Sequence, residues 1–219
     1  MRKIIGAVGA LSLLCSSFGV AEAASSYFEK NTDRTFAVRP YFGGSIGAAF
    51  TDLDYEHHDH YHKVDDGAAF MVYPRVGIEF EHMSGWGGKL ETEGFFMSNE
   101  KYDVDVWYPH GRFREDMKVK SSGLFINVIG DYHVNDVFVP YAGVGMGFAK
   151  NRSSVNGVVE HNNEFAFNTK VGTELLLNEH FGFDVGLKYA SYGDVSKHHY
   201  DKSVFMTSFD IFAGFNVKF

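Results

Sequence analysis

Side chains able to hold a metal ion crowd one short stretch, Tyr55 to Lys63, which reads Y-E-H-H-D-H-Y-H-K. His57, His58, His60 and His62 stand there, with Asp54, Glu56, Asp59, Asp65 and Asp66 close by in sequence. Neutral imidazole and carboxylate are donors that zinc, copper or nickel accept. No fixed ligand spacing accompanies them, so the stretch predicts a polar segment with the capacity to hold metal and no dedicated cofactor. His110, His161, His198 and His199 fall in other stretches of the same polar character. Towards the end of the chain Asp194, Ser196, His198 and His199 supply the ingredients of nucleophilic catalysis. A nucleophile needs its base within hydrogen-bond reach and a third group orienting that base, and clustering within one polar segment does not supply that geometry. The expectation is therefore no catalytic residue and no enzyme.

A second set of ionisable residues is spread through apolar stretches, at alternate positions. It comprises Arg39, Arg75, Lys89, Lys170, Lys188 and Lys218 together with Glu79, Glu91, Glu93, Asp131, Glu174, Asp184 and Asp210. Alternation is the period of a β-strand, so these charges share the face opposite the apolar residues. Residues 204–219 make the case most clearly. Phe205, Thr207, Phe209, Ile211, Ala213, Phe215, Val217 and Phe219 lie on one face, and Met206, Ser208, Asp210, Phe212, Gly214, Asn216 and Lys218 on the other. That strand is far longer than the usual five or six residues.

The same alternation predicts strands at 36–50, 68–80, 89–99, 118–133, 138–150, 165–177, 181–192 and 204–219. Between them lie polar connections that alternate long and short: 51–67, 81–88, 100–117, 134–137, 151–164, 178–180 and 193–203. A soluble sandwich has no reason to sort its loops by side, whereas an up-and-down barrel in the outer membrane has short periplasmic turns and long extracellular loops. The fold class expected is all-β, an eight-stranded antiparallel up-and-down transmembrane β-barrel, with both termini in the periplasm. In the fifth strand Gly143, Gly145 and Gly147 fall on one face, as a narrow lumen beside bulky neighbours would favour.

Composition agrees with a barrel. The chain has 219 residues, with 22 Phe and 24 Gly against only 4 Pro, and a net charge of −8 that argues against a nucleic-acid partner. It opens with Arg2 and Lys3, an apolar run from Ile4 to Leu14, and small residues at Ala21 and Ala23, the pattern of a secretory signal peptide cleaved after Ala23. Cys15, the only cysteine, follows Leu14, where a lipoprotein signal requires a small residue, and it falls inside the predicted leader. No disulfide or thiolate metal site is therefore expected. The domain layout expected is a leader at 1–23, a short periplasmic segment at 24–35 and the barrel at 36–219.

Three segments resemble a known family. They are V-P-Y-A-G-V-G-M-G-F-A at Val139 to Ala149, K-V-G-T-E-L-L-L-N-E-H-F-G-F-D-V-G-L-K-Y at Lys170 to Tyr189, and F-A-G-F-N-V-K-F at Phe212 to Phe219. Together these look like the eight-stranded outer-membrane barrels of the opacity-protein and OmpA-like kind, often described as porin-family or surface-antigen proteins of Gram-negative bacteria. The resemblance implies a structural, surface-interaction or adhesive role rather than an enzymatic one, and the chain lacks any signature resembling the barrel deacylases. It implies further that Phe215, Val217 and Phe219 belong to the terminal signal read by the barrel assembly machinery. The other partners implied are outer-membrane lipid and a host or environmental surface ligand. Because some similar barrels bind haem, haem joins zinc and copper as an alternative ligand of the first-loop histidines.

An eight-stranded barrel is only wide enough for its side chains to fill it, and buried ions persist when paired and hydrogen-bonded. The alternating charges therefore predict a salt-bridged plug rather than an open channel, with a small pore as a further alternative.

Overall fold

The computed structural model describes residues 36–55, 63–64, 67–82, 85–98, 100–108, 111–155, 158–195 and 204–219. The expected leader and periplasmic lead-in lie outside the described residues, as do His57, His58, His60, His62, His110, Ser196, His198 and His199.

Ten strands follow one another: β1 (Phe36–Tyr55), β2 (Lys63–Val64), β3 (Gly67–His82), β4 (Trp86–Met97), β5 (Glu100–Tyr108), β6 (Gly111–Tyr132), β7 (Phe138–Val155), β8 (Val158–Leu176), β9 (Phe181–Asp194) and β10 (Val204–Lys218). No helix occurs among the described residues. Eight of the strands form the wall in the order β1-β3-β4-β6-β7-β8-β9-β10, each antiparallel to its neighbours, and β10 pairs back onto β1 so that the sheet closes. β5 continues the line of β4 beyond the barrel and pairs with the first half of β6, and β2 adds two residues to the free edge of β5.

The wall is built inside out. Along β6, Leu124, Ile126 and Val128 are 57–62% exposed, while Phe125 and Asn127 between them are fully buried. The other wall strands repeat that alternation over most of their length. Apolar side chains on the outside have no protein to cover them, and an outward apolar band is what a hydrocarbon surround requires. Aromatic residues gather towards the two edges of the band: Phe50, Phe70, Phe96, Phe148 and Phe165 at one edge, Phe80, Trp86, Tyr132, Phe138, Phe181 and Phe219 at the other.

The two ends differ. At one, β3 joins β4, β6 joins β7 and β8 joins β9 through short turns. Asn135 Oδ1 accepts the backbone N–H groups of Val137 and Phe138 at 2.9 and 2.8 Å, and Asn178 Oδ1 does the same for His180 and Phe181 at 2.9 Å each. Such side-chain-to-backbone bonds are why Asn initiates turns. Gly85, before β4, adopts φ +83°, a conformation a Cβ would penalise. At the other end the wall strands run on past the apolar band. Residues 100–117 and 151–164 read as loops in the sequence, and here the structure corrects the expectation. β5 pairs with β6 from Glu100↔Val119 to Tyr108↔Gly111, and β7 pairs with β8 as far as Val155↔Val158. In these stretches polar residues occupy both alternations of the sequence, so the apolar period disappears while backbone pairing continues. For the same reason β1 extends to Tyr55 rather than ending near Phe50.

Candidate functional site

The inward positions of the wall strands converge in the lumen, layer by layer. From the turn end, β3 contributes Glu79, Arg75 and Tyr73, β4 contributes Lys89, Glu91 and Glu93, β8 contributes Glu174 and Lys170, β9 contributes Asp184 and Lys188, and β10 contributes Lys218, Asn216 and Asp210. Their side chains are buried in spite of their charge.

The first layer is a knot of two lysines and two glutamates. Lys89 Nζ lies 3.2 Å from Glu79 and also bonds Glu174, while Lys218 Nζ lies 2.9 Å from Glu79 and 3.1 Å from Glu174. Asp131, on β6, stands 3.9 Å from Lys89. The second layer centres on Arg75, whose Nη1 bonds Asp184 at 2.6 Å while its Nε donates to Asn216 at 2.9 Å. Tyr141 donates to Asp184 at 2.6 Å, and Tyr41 to Glu91 at 2.8 Å. In the third layer Lys170 bridges Glu91 and Glu93 at 2.5 and 3.1 Å, and Lys188 bonds Glu93 at 2.5 Å with its ammonium 3.5 Å from the centre of the Tyr73 ring. Tyr73 in turn donates to Asp210 at 2.5 Å. Most of these buried charges are held by direct partners, the condition under which buried ions are tolerated. Asp131 is the exception, with Lys89 at 3.9 Å, His133 at 4.0 Å and no hydrogen bond to either carboxylate oxygen among the described residues.

Arg39 departs from the expected network. Its side chain is 40% exposed and pairs with Glu81 at 3.5 Å. It sits near the turn-end start of β1, opposite Glu79 and two residues inside the Ala37↔Glu81 pair. The lumen opens to water there, and a long guanidinium stem extends outwards rather than into the crowded interior.

Towards the hairpin end the charges give way to an apolar cap. Phe95 stacks on Phe125 with ring centres 4.9 Å apart and meets Tyr192 at 5.0 Å, and Met71, Met97, Val119 and Met206 are packed in the same buried cluster. The expectation that the inward face is polar holds for the charged layers and fails here. Single residues such as Phe95 and Phe125 carried the signal, since they sit at inward positions of otherwise polar faces. The tyrosines and amides that complete the network, Tyr41, Tyr73, Tyr141, Asn127, Asn168 and Asn216, were absent from the sequence-read set although they share its alternation.

Close approach of lumen side chains and of the neighbouring strand selects glycine on β7. A Cβ at Gly145 would strike Asn127 Oδ1 and approach Asn168 Nδ2 to 2.8 Å, and one at Gly147 would strike the Leu124 carbonyl oxygen. The free space left among Tyr41, Arg75, Glu91, Lys170 and Asp184 is about 10 Å³, room for about one water.

Of the other residues singled out in the sequence, Asp194 ends β9 in a buried position, and its carbonyl accepts from Asn151 at 3.1 Å. Among the described residues no group of three or more His, Cys, Asp or Glu side chains is arranged to hold a metal ion. Phe215 and Phe219 point outwards on the last strand. Phe219 stacks on Phe42 with centres 5.7 Å apart, and its backbone N–H donates to the Pro40 carbonyl at 3.0 Å, across the β1–β10 seam.

Comparison with known proteins places this architecture. The family model described as "Outer membrane protein beta-barrel domain" matches residues 10–217. No curated protein matches the chain. Among solved structures, Neisserial surface protein A is similar at 17% identity and a TM-score of 0.47, with 81% of this chain and 97% of that chain covered. The attachment invasion locus protein of Yersinia pestis is similar at 16% identity and a TM-score of 0.42, covering 80% and 97%. The outer membrane enzyme PagL is similar at 13% identity and a TM-score of 0.44, covering 80% and 97%.

Proposed function

The chain belongs to the outer-membrane β-barrel family, and from that premise we propose that it is a non-catalytic surface scaffold: a closed barrel that holds its hairpins out for contact with a host or environmental surface. The observation that carries this reading is the filled lumen. Five buried cations, Arg75, Lys89, Lys170, Lys188 and Lys218, are each bonded to carboxylates, and about 10 Å³ remains among the residues around Arg75. A conducting path requires a continuous file of water, which these contacts interrupt. The same pairing speaks against catalysis in the lumen, because its acids and bases are committed to one another and buried away from any substrate.

With the lumen closed, what the molecule offers to its surroundings is its wall and its ends. The wall meets lipid. In this reading the short-turn end and both termini face the periplasm, and the hairpin end faces outwards, following the asymmetry of such barrels. Among the described residues the β5–β6 hairpin projects furthest, since nine paired residues extend about 30 Å along the strand. The contact surface is assigned to this end.

Deleting residues 101–117 removes all of β5 but Glu100 together with most of the facing part of β6, and leaves the β4–β6 ladder from Phe96↔Ser122 to Trp86↔Tyr132 intact. Cells displaying the whole chain are expected to adhere to epithelial monolayers or immobilised matrix protein above an empty-vector control, and cells displaying the deleted chain at equal surface level are expected not to. Equal adherence of the two would sink the assignment of contact to this hairpin, and no adherence by either would sink the adhesive reading.

A further inference from the structure

The outer wall carries a concentration of positive charge unconnected with the lumen. Above the apolar band on β6 and β7 the outward positions change abruptly, from Leu124 to Lys120 and Lys118, and from Phe148 to Lys150 and Arg152. All four are exposed. The ladder sets them side by side: Lys120 lies opposite Arg152, Lys118 opposite Ser154, and Lys150 opposite Ser122. On the far side β8 places His161 opposite Arg152 and Asn163 opposite Lys150. Glu160 and Glu164, the nearest carboxylates on β8, fall on the other alternation of that strand. None of the ion pairs among the described residues involves the four cations.

Lys118, Lys120, Arg152, Ser154 and Val159 line a groove of about 230 Å³, many times the space a single water needs. We infer that this groove binds the phosphate groups of lipid headgroups in the outer leaflet. Its height on the wall singles out that ligand. Lys150 is two residues beyond Phe148, about 7 Å along the strand, so the cations begin where the hydrocarbon ends. A soluble anion has no need of a site at that level, whereas a lipid phosphate has no other level to occupy. Charge agrees: a chain of net charge −8 gathers these cations on one lipid-facing patch. Ammonium and guanidinium groups with a nearby hydroxyl are the donors that phosphate oxygens accept. The leaflet named here rests on the orientation proposed above.

The test uses the folded, purified barrel in neutral detergent, with bis-phosphorylated lipid A as probe, followed by native mass spectrometry. Saturable binding is expected, weakened at least about tenfold when Lys118, Lys120, Lys150 and Arg152 are all changed to Gln, the scale of losing several charge-assisted bonds. The same lipid stripped of phosphate is expected to bind the unaltered barrel as weakly. Arg39→Gln, at the opposite end of the wall, is expected to bind like the unaltered barrel, and retained heat-modifiable mobility on gels verifies that each variant is folded. Equal binding by the fourfold variant, or by the stripped lipid, would overturn the site. Displacement of the lipid by millimolar inorganic phosphate would overturn the lipid assignment in favour of a free-phosphate site. Detergent-solubilised protein has no sidedness, so the orientation is tested apart from the site: an Asp136→Cys variant, exposed in the short turn between β6 and β7, that is labelled by an impermeant maleimide on intact cells would overturn the leaflet alone.

Discussion

Glu93 and Lys188 illustrate how unequal the members of a buried charge network are. Glu93 accepts from both Lys170 and Lys188, while Lys170 also has Glu91. Lys188 has Glu93 as its ion-pair partner among the described residues, supplemented by the face of Tyr73. Changing Glu93 to Gln strands Lys188 in a buried position, whereas changing Lys188 to Met leaves Glu93 paired with Lys170. Stranding a buried charge costs about 3–5 kcal/mol, and replacing a member by an apolar side chain of similar volume costs much less. Urea unfolding of the refolded barrel in vesicles is expected to show Glu93→Gln destabilised by several kcal/mol and Lys188→Met by less than half as much. The opposite ranking would mean that the cation's ring contact, and not the carboxylate, holds this layer. The charges were legible in the sequence because each interrupts an apolar alternation. Their pairing was not, since Lys188 and Glu93 are distant in the chain and meet across the lumen.

Strands rather than loops account for most of the difference between sequence and structure. Inside the apolar band the alternation marks each strand, because one face meets lipid and the other a crowded interior. Outside the band the mark vanishes, and β5, the first half of β6 and the facing ends of β7 and β8 look like polar loops in sequence. β10 has the opposite character: its pattern is unbroken to the last residue, and its register onto β1 closes the barrel from Tyr55↔Val204 to Tyr41↔Lys218. Phe219 extends that seam by one backbone bond to Pro40 and one ring contact with Phe42. If these contacts were its whole role, Phe219→Ser would lower stability modestly, by about 1–2 kcal/mol, and leave insertion in cells unchanged. The expected outcome is otherwise: near-normal refolding into vesicles with a severalfold loss of outer-membrane protein in cells, measured by fractionation. That combination is what a terminal residue read during assembly would produce, and equal losses in both settings would contradict it.

For the whole molecule the decisive property is closure, of the sheet and of the lumen. An eight-stranded wall has an interior that side chains can fill, and the charged layers and the aromatic cap fill it. In planar bilayers the refolded barrel is expected to give no steady conductance steps above baseline in molar potassium chloride. A pair change such as Arg75→Ala with Asp184→Ala, which empties the middle layer, is still expected to conduct little, because Phe95, Phe125 and Tyr192 close the lumen above it. Stable unitary conductance in the unaltered protein would contradict the closed-lumen reading.

The class of fold, the number of wall strands, the face of each strand that meets lipid and the places of the short turns were all legible in the amino-acid pattern, because each depends on a local period or on its interruption. The same pattern picked out most of the ionisable residues of the lumen, as charges on the inward alternation. The pattern leaves open which charge meets which, that Arg39 stays at the rim, that aromatic residues cap the polar layers, and that Lys118, Lys120, Lys150 and Arg152 form one patch. All of these depend on register between strands that are neighbours in space. A period of two fixes the face of a residue, and closure of the sheet is needed to fix its height and its neighbours.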